Sequence, residues 1–204
     1  MEATSPAPSR SADRRDALVR AFELAATVTD RVRPDQRGGP TPCPAFDVAA
    51  LVAHLVGAAW RSVDIARGVA PTGEEFPHVL LADAPDELRR AGADAASAWT
   101  DDRLEATTTM PWGETYQGTT LVDMYLSELV AHAWDLAAAT GQDLPIDDDL
   151  AAEALAAARS MLRPEYRDML GVGSPFGAEQ PVADDAATLD RFVAFMGRRP
   201  AWRP

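Results

Sequence analysis

The sequence predicts an all-α protein, an antiparallel four-helix bundle with additional short C-terminal helices and loops. Apolar residues recur at three- and four-residue spacing along several stretches, the pattern of amphipathic helices. Those stretches are separated by proline, glycine and short polar residues, which punctuate helices. The 204 residues, 47% hydrophobic and 25% charged, suffice for one sizeable core. No internal repeat divides them, so residues 12–204 are expected to form a single domain. Residues 1–11, rich in Ser, Pro and Ala, are expected to be a disordered tail.

From Asp13 to Val32, Leu18, Phe22, Ala25 and Val28 mark the buried face of a first helix that ends before Pro34. Arg37 to Pro44 cannot be helical, because its prolines fix the backbone and lack an amide hydrogen. Asp47 is suited to cap a second helix that runs to about Arg67. After a long loop over Gly68 to Pro85, Asp86 to Asp101 returns to helical composition, with Leu88, Ala95 and Trp99 expected inside. Glu105 to Met110 is threonine-rich and precedes the turn signal Pro111-Trp112-Gly113, so an extended segment or short hairpin is expected. Thr119 or Thr120 is suited to cap a fourth long helix that stops at Thr140-Gly141, where glycine permits a left-handed C-cap. Asp147 to Arg163 and Asp185 to Met196 supply the C-terminal helices.

Composition excludes several kinds of chemistry. A net charge of −13 and a pI near 4.5 repel phosphate backbones and anionic membranes, so neither nucleic acid nor a membrane is the expected partner. No run reaches the roughly 18 to 20 apolar residues of a membrane span, and the N-terminus lacks the apolar middle of a signal peptide. A cytoplasmic protein is expected. All 19 basic residues are arginine, which removes Schiff-base lysines and the lysine-bearing phosphate loop. With Cys43 as the sole cysteine, a metal site must be built from histidine and carboxylates.

On the fourth helix, an advance of about 100° per residue places Leu121, Tyr125, Glu128, His132, Asp135 and Ala139 on one stripe, with Asp123 and Ser127 far from it. Met124, Leu129, Val130, Ala133 and Leu136 flank that stripe, so it should face the bundle interior. A buried carboxylate costs several kcal/mol unless it is paired or bound to a cation. Glu128 and His132 stand one turn apart, and His54 lies at the edge of the apolar stripe of the second helix. Together they are candidates for a three-ligand divalent metal site with an open position. A Glu/His pair at this spacing serves equally as an internal hydrogen bond, and these residues alone leave that alternative open.

Asp135 is a candidate catalytic residue, able to orient a ligand histidine or to accept a proton, with a solvated position or an arginine ion pair as its plain alternative. Tyr125 is expected to pack, as are Trp112 and Trp134. His78 is read as a surface histidine and Cys43 as a buried structural one. Arg61 or Arg163 near the open position would favour an anionic substrate.

Thr41-Pro-Cys-Pro44, followed by Phe46-Asp-Val48, Leu51 and His54, resembles the second-helix signature of the DinB-like metal-binding superfamily. Met110-Pro-Trp-Gly113, Glu128-Leu-Val-Ala-His132-Ala-Trp-Asp-Leu-Ala137, Ala139-Thr-Gly-Gln142 and Gly197-Arg-Arg-Pro-Ala-Trp202 resemble the branch of the mycothiol-dependent maleylpyruvate isomerase metal-binding domain. The resemblance implies a four-helix bundle in which His54, Glu128 and His132 bind a divalent metal, zinc by preference. It also implies a low-molecular-weight thiol such as mycothiol as cosubstrate, in an isomerase or a transferase. A metal-dependent hydrolase and a non-catalytic metal or stress-response binding protein are the alternatives, and a homodimer is left open. The residues after about Gly141 are too few for the separate C-terminal domain of the isomerase, so the metal site carries over more readily than the substrate.

Overall fold

The computed structural model describes residues 13–72, 80–162, 167 and 177–204. The expected tail, His78 and Arg163 lie outside the described residues. Among the described residues the chain forms α1 (Arg15–Asp30), a 3-10 turn (Pro34–Gln36), α2 (Val48–Ala66), α3 (Ala84–Ala98), α4 (Asp101–Glu105), β1 (Thr107–Thr109), β2 (Thr115–Gln117), α5 (Gly118–Thr140), α6 (Asp148–Met161) and α7 (Thr188–Phe195). The threonine-rich stretch is the expected hairpin, with Thr108 opposite Tyr116.

Local chemistry sets most of the boundaries. Asp47 caps α2 by accepting from the Ala50 amide, Asp147 caps α6 by accepting from the Leu150 amide, and each satisfies an amide that the first helical turn leaves unpaired. Gly141 ends α5 in the left-handed region at φ 69°, which costs glycine little. The start of α5 differs from expectation. Neither Thr119 nor Thr120 caps it; the helix begins at Gly118 directly from β2, and no side chain caps its N-terminus. Gly118 donates its amide to the Ala106 carbonyl at 2.8 Å. A Cβ there would lie 2.0 Å from the Arg103 carbonyl oxygen. Gly118→Ala is therefore expected to destabilise the fold by about 1–3 kcal/mol or more, since backbone rather than a flexible side chain must yield. Urea unfolding of the variant checks this.

Helices α1, α2, α3 and α5 form the bundle, and tie points between them give its directions. Phe22 packs on Gly92 and Arg15 reaches the Trp99 carbonyl, so α1 and α3 are antiparallel. Trp60 bonds Glu87 and Arg67 bonds Asp94, so α2 and α3 are parallel. Arg14 meets Asp123 and Gln142 meets the Val28 carbonyl, so α1 and α5 are parallel as well. The antiparallel bundle thus has two helices up and two down. Parallel α2 and α3 require a crossover between them, whereas α1 and α2 are antiparallel and need none.

The core runs through the middle of these helices. Leu18, Phe22, Leu51, Leu55, Leu88, Leu126 and Leu129 are all buried, and Phe192 of α7 joins them. By length and composition α2 would qualify as a membrane span, but most of it is buried inside the bundle, and His54, Arg61 and Asp64 interrupt its apolar run. Asp123 is buried too, contrary to its place off the predicted stripe. It accepts from Arg14 at 3.0 and 3.2 Å and from Ser160 at 2.7 Å, linking α6 and the start of α1 to α5.

Candidate metal centre

The proposed ligands come from two neighbouring helices. Because α2 and α5 are antiparallel, His54 lies opposite Glu128 and His132, and its Nε2 is 2.9 Å from Glu128 Oε1. The rings of His54 and His132 meet edge to face with centroids 4.8 Å apart. One ligand atom from each of the three side chains lies within 4.8 Å of the others. Small side-chain adjustments close that span around one ion with bonds of about 2.0–2.2 Å. Two imidazoles and a carboxylate are the donor set that suits zinc. Phe46 stacks on His54 at 4.7 Å between centroids, fixing the ring from its other face.

The site is buried on the His132 side and open on the other, with His54 and Glu128 side chains 14% and 22% exposed. Burial tends to raise the Glu128 carboxyl, but the hydrogen bond from His54 and the neighbouring His132 and Arg61 outweigh it and hold the carboxyl below its ordinary value. Glu128 is therefore an anion at neutral pH. Burial lowers the pKa of His132 despite the opposing effect of Asp135, so the imidazole is neutral and able to bind a cation.

Behind His132 stands a second layer. Asp135 is fully buried and its Oδ2 lies 2.9 Å from His132 Nδ1. Arg198 donates to the same carboxylate from Nε at 3.2 Å and from Nη2 at 2.9 Å, the two-pronged geometry that guanidinium favours. Burial would raise the Asp135 carboxyl, but Arg198 and His132 overcome this and hold it below its ordinary value. An ionised carboxylate only accepts, so Nδ1 of His132 carries the proton and Nε2 keeps its lone pair for a cation. Both Asp135 oxygens are engaged, so its geometry serves the orienting role and not proton acceptance from a bound molecule.

Cys43, His132 and Asp135 form a second cluster of possible donors, all buried. Arg198 already neutralises this cluster, and a cation there would face the guanidinium at close range. Burial pushes the Cys43 thiol up, against the effect of Arg198, which fits the structural reading of this cysteine. Tyr125 is buried and its hydroxyl is held protonated, by burial first and then by Glu128. Trp134 packs in the core as expected, whereas Trp112 is 55% exposed at the hairpin tip. It donates to Tyr116 and meets that ring edge to face but does not enter the core, because the turn carries it beyond the helices.

Sequence reasoning missed Arg198, although it lies inside the quoted motif Gly197-Arg-Arg-Pro-Ala-Trp202. No periodicity could connect that tail to α5.

Residues 15–137 match the family described as the mycothiol maleylpyruvate isomerase N-terminal domain. The chain belongs to this family. The match to the mycothiol maleylpyruvate isomerase N-terminal domain spans α1 to α5 and so contains His54, Glu128, His132 and Asp135, while Arg198 lies outside it. Two curated Mycobacterium tuberculosis relatives, the uncharacterized proteins MT0763 of strain CDC 1551 and Rv0738 of strain H37Rv, are each 35% identical over 184 residues. These alignments cover 88% of this chain and 94% of each relative. Among solved structures, the mycothiol-dependent maleylpyruvate isomerase aligns at 21% identity and a TM-score of 0.49, covering 76% of this chain and 71% of that one. A mutant of the same enzyme gives a TM-score of 0.47 over the same shares at 21% identity.

Proposed function

We propose that this protein binds one divalent metal ion, zinc by preference, through His54, Glu128 and His132, and uses it with a low-molecular-weight thiol such as mycothiol in an isomerase or transferase reaction. The observation that carries this reading is the convergence of three donors within 4.8 Å, two of which, His54 and Glu128, are partly exposed to solvent. Membership of the isomerase-domain family supports the thiol, and the donor set supports zinc. When bound, zinc lowers the pKa of a thiol without redox chemistry of its own.

The protein's residues divide the remaining work. His54 and Glu128 form the accessible edge of the site, and Phe46 keeps His54 in its rotamer. Asp135 and Arg198 are positioning residues that hold His132 in the tautomer a cation requires. A hydrolase would need a general base beside the ion, and the geometry of Asp135 does not favour that role. An exposed edge also favours a site that exchanges small molecules over a closed storage site. The net charge of −13 favours a small-molecule partner over nucleic acid or an anionic membrane, and we place the protein in the cytoplasm, where a low-molecular-weight thiol stays reduced.

Cobalt substitution tests this reading, because thiolate binding to cobalt gives an intense near-ultraviolet charge-transfer band. Addition of a small thiol is expected to produce that band at one equivalent of cobalt per chain. A cobalt protein whose spectrum ignores thiol would contradict the thiol-using reading.

A further inference from the structure

We infer that the protein has a second small-molecule site, at the seam between α1 and α3, which takes an apolar α-amino acid through Thr29, Asp30 and Arg37. The site is a cavity of about 390 Å³ lined by the last turn of α1, by the segment after it and by Leu80, Leu81, Ala82 and Pro85 at the entry to α3. That volume falls in the range of roughly 300–1,000 Å³ usual for small-molecule pockets. Among the described residues, none of the proposed metal ligands lines it. Helix α1 packs on α3 and α5, and α2 packs on the same two helices. The α1/α3 seam therefore lies across the bundle from the α2/α5 seam of His54, Glu128 and His132, and the inference does not rest on the metal reading.

The floor of the cavity is apolar. Val32 and Pro85 are buried and Leu81 packs against the core, so a hydrocarbon side chain seated there leaves water. Set in this floor is an unused hydrogen-bonding group. Thr29 is 1% exposed, and its Oγ1 has no hydrogen-bond partner among the described residues. A helical threonine commonly bonds a carbonyl of the preceding turn. Thr29 does not, which leaves its hydroxyl to a group that enters the cavity. A buried hydroxyl without a partner is costly, and a bound polar group removes that cost.

Two exposed side chains of opposite charge, Asp30 and Arg37, stand at the rim. The neighbouring Arg33 and Asp35 pair with each other. Asp30 and Arg37 do not pair, and neither side chain has a hydrogen bond or ion pair among the described residues. An unpaired carboxylate and an unpaired guanidinium above an apolar floor match a zwitterion with an apolar body. Asp30 takes the ammonium group, and Arg37 takes the carboxylate through its planar fork of N–H donors. A ligand with one charge leaves the other rim charge unanswered, and a neutral hydrocarbon leaves both charges and the Thr29 hydroxyl unanswered.

Calorimetric titration of the zinc-loaded protein tests the site with L-leucine, with isocaproate, which lacks the ammonium group, and with isopentylamine, which lacks the carboxylate. Wild type and His132→Ala are expected to bind one leucine per chain with equal affinity, because the cavity is remote from the metal ligands. Each analogue should bind about tenfold more weakly, in keeping with the loss of one charge-assisted hydrogen bond. Arg37→Gln should weaken leucine by about tenfold and leave isopentylamine unchanged, whereas Asp30→Asn should weaken leucine similarly and leave isocaproate unchanged. Thr29→Val should weaken leucine without lowering the unfolding midpoint of the ligand-free protein. Absence of leucine binding to wild type, or an affinity unchanged in both Arg37→Gln and Asp30→Asn, would overturn the proposal. Leucine binding that disappears in His132→Ala would place the amino acid on the metal, which overturns this site and supports the metal centre.

Discussion

Replacing Asp135 with alanine is expected to lower the free energy of unfolding by about 3–5 kcal/mol, the usual cost of removing one partner from a buried ion pair. The carboxylate is fully buried and is shared by Arg198 and His132. Its loss leaves the Arg198 guanidinium, only 5% exposed, inside the protein without its counterion. The same change releases the Nδ1 proton of His132 from its acceptor. Asp135→Asn keeps the shape but not the charge, and its expected loss is smaller though of the same sign. The effect has a characteristic pH dependence. An aspartate held below its unfolded value contributes stability that is present above about pH 3.9 and is lost as pH falls through the lower folded value. Urea unfolding at neutral and acidic pH should therefore show a large deficit for Asp135→Ala near pH 7 that narrows in acid. A deficit below 1 kcal/mol at neutral pH would mean that Arg198 does not depend on this carboxylate.

The second large effect concerns the ion and not the fold. His132→Ala is expected to abolish stoichiometric metal binding while leaving a folded bundle. It removes the innermost donor, and the remaining pair, His54 and Glu128, lies at the solvent-facing edge. Loss of an outer partner of a ligand histidine typically costs 10–100-fold in metal affinity, so loss of the ligand itself should exceed that. A thermodynamic consequence follows from linkage. Metal at about one hundred times its dissociation constant should stabilise the wild type by about 2.7 kcal/mol, whereas His132→Ala should gain nothing from the same concentration. Thermal unfolding with and without zinc measures both. Equal stabilisation of the two proteins would remove His132 from the site.

Much of this molecule was legible because its helices are bounded by residues with a single strong preference. Asp47 and Asp147 sit at N-caps, Gly141 adopts the left-handed C-cap, and the threonine stretch that did not fit a helix forms a strand. His54, Glu128 and His132 could be picked out because polar groups on apolar helix faces demand an explanation. What escaped was set by long-range partners. Asp123 belongs to no inward stripe, yet it is buried because α1 and α6 cover the side of α5 that a four-helix scheme leaves to solvent. Its partners Arg14 and Ser160 are 109 and 37 residues away in sequence.

Arg198 escaped for the same reason, since 63 residues separate it from Asp135. The relative directions of the helices were also hidden. Connection lengths show that α1 to α2 and α2 to α3 are not tight turns, but only paired tie points, Trp60 with Glu87 beside Arg67 with Asp94, and Arg14 with Asp123 beside Gln142 with Val28, reveal which neighbours run parallel. The cap of α5 was misread because Thr119 and Thr120 have the right chemistry. The hairpin, however, delivers the chain into the helix with Gln117 at the N-cap, two residues before Thr119, through a glycine that alone fits against the Arg103 backbone.

The central claim is that His54, Glu128 and His132 hold one divalent ion, and elemental analysis of the purified protein tests it most directly. The wild type, reconstituted with zinc and dialysed, should retain about one metal per chain, and His54→Ala, Glu128→Ala and His132→Ala should each retain far less while remaining helical by circular dichroism. One tightly held ion per chain in any of those folded variants, or none in the wild type, would contradict it.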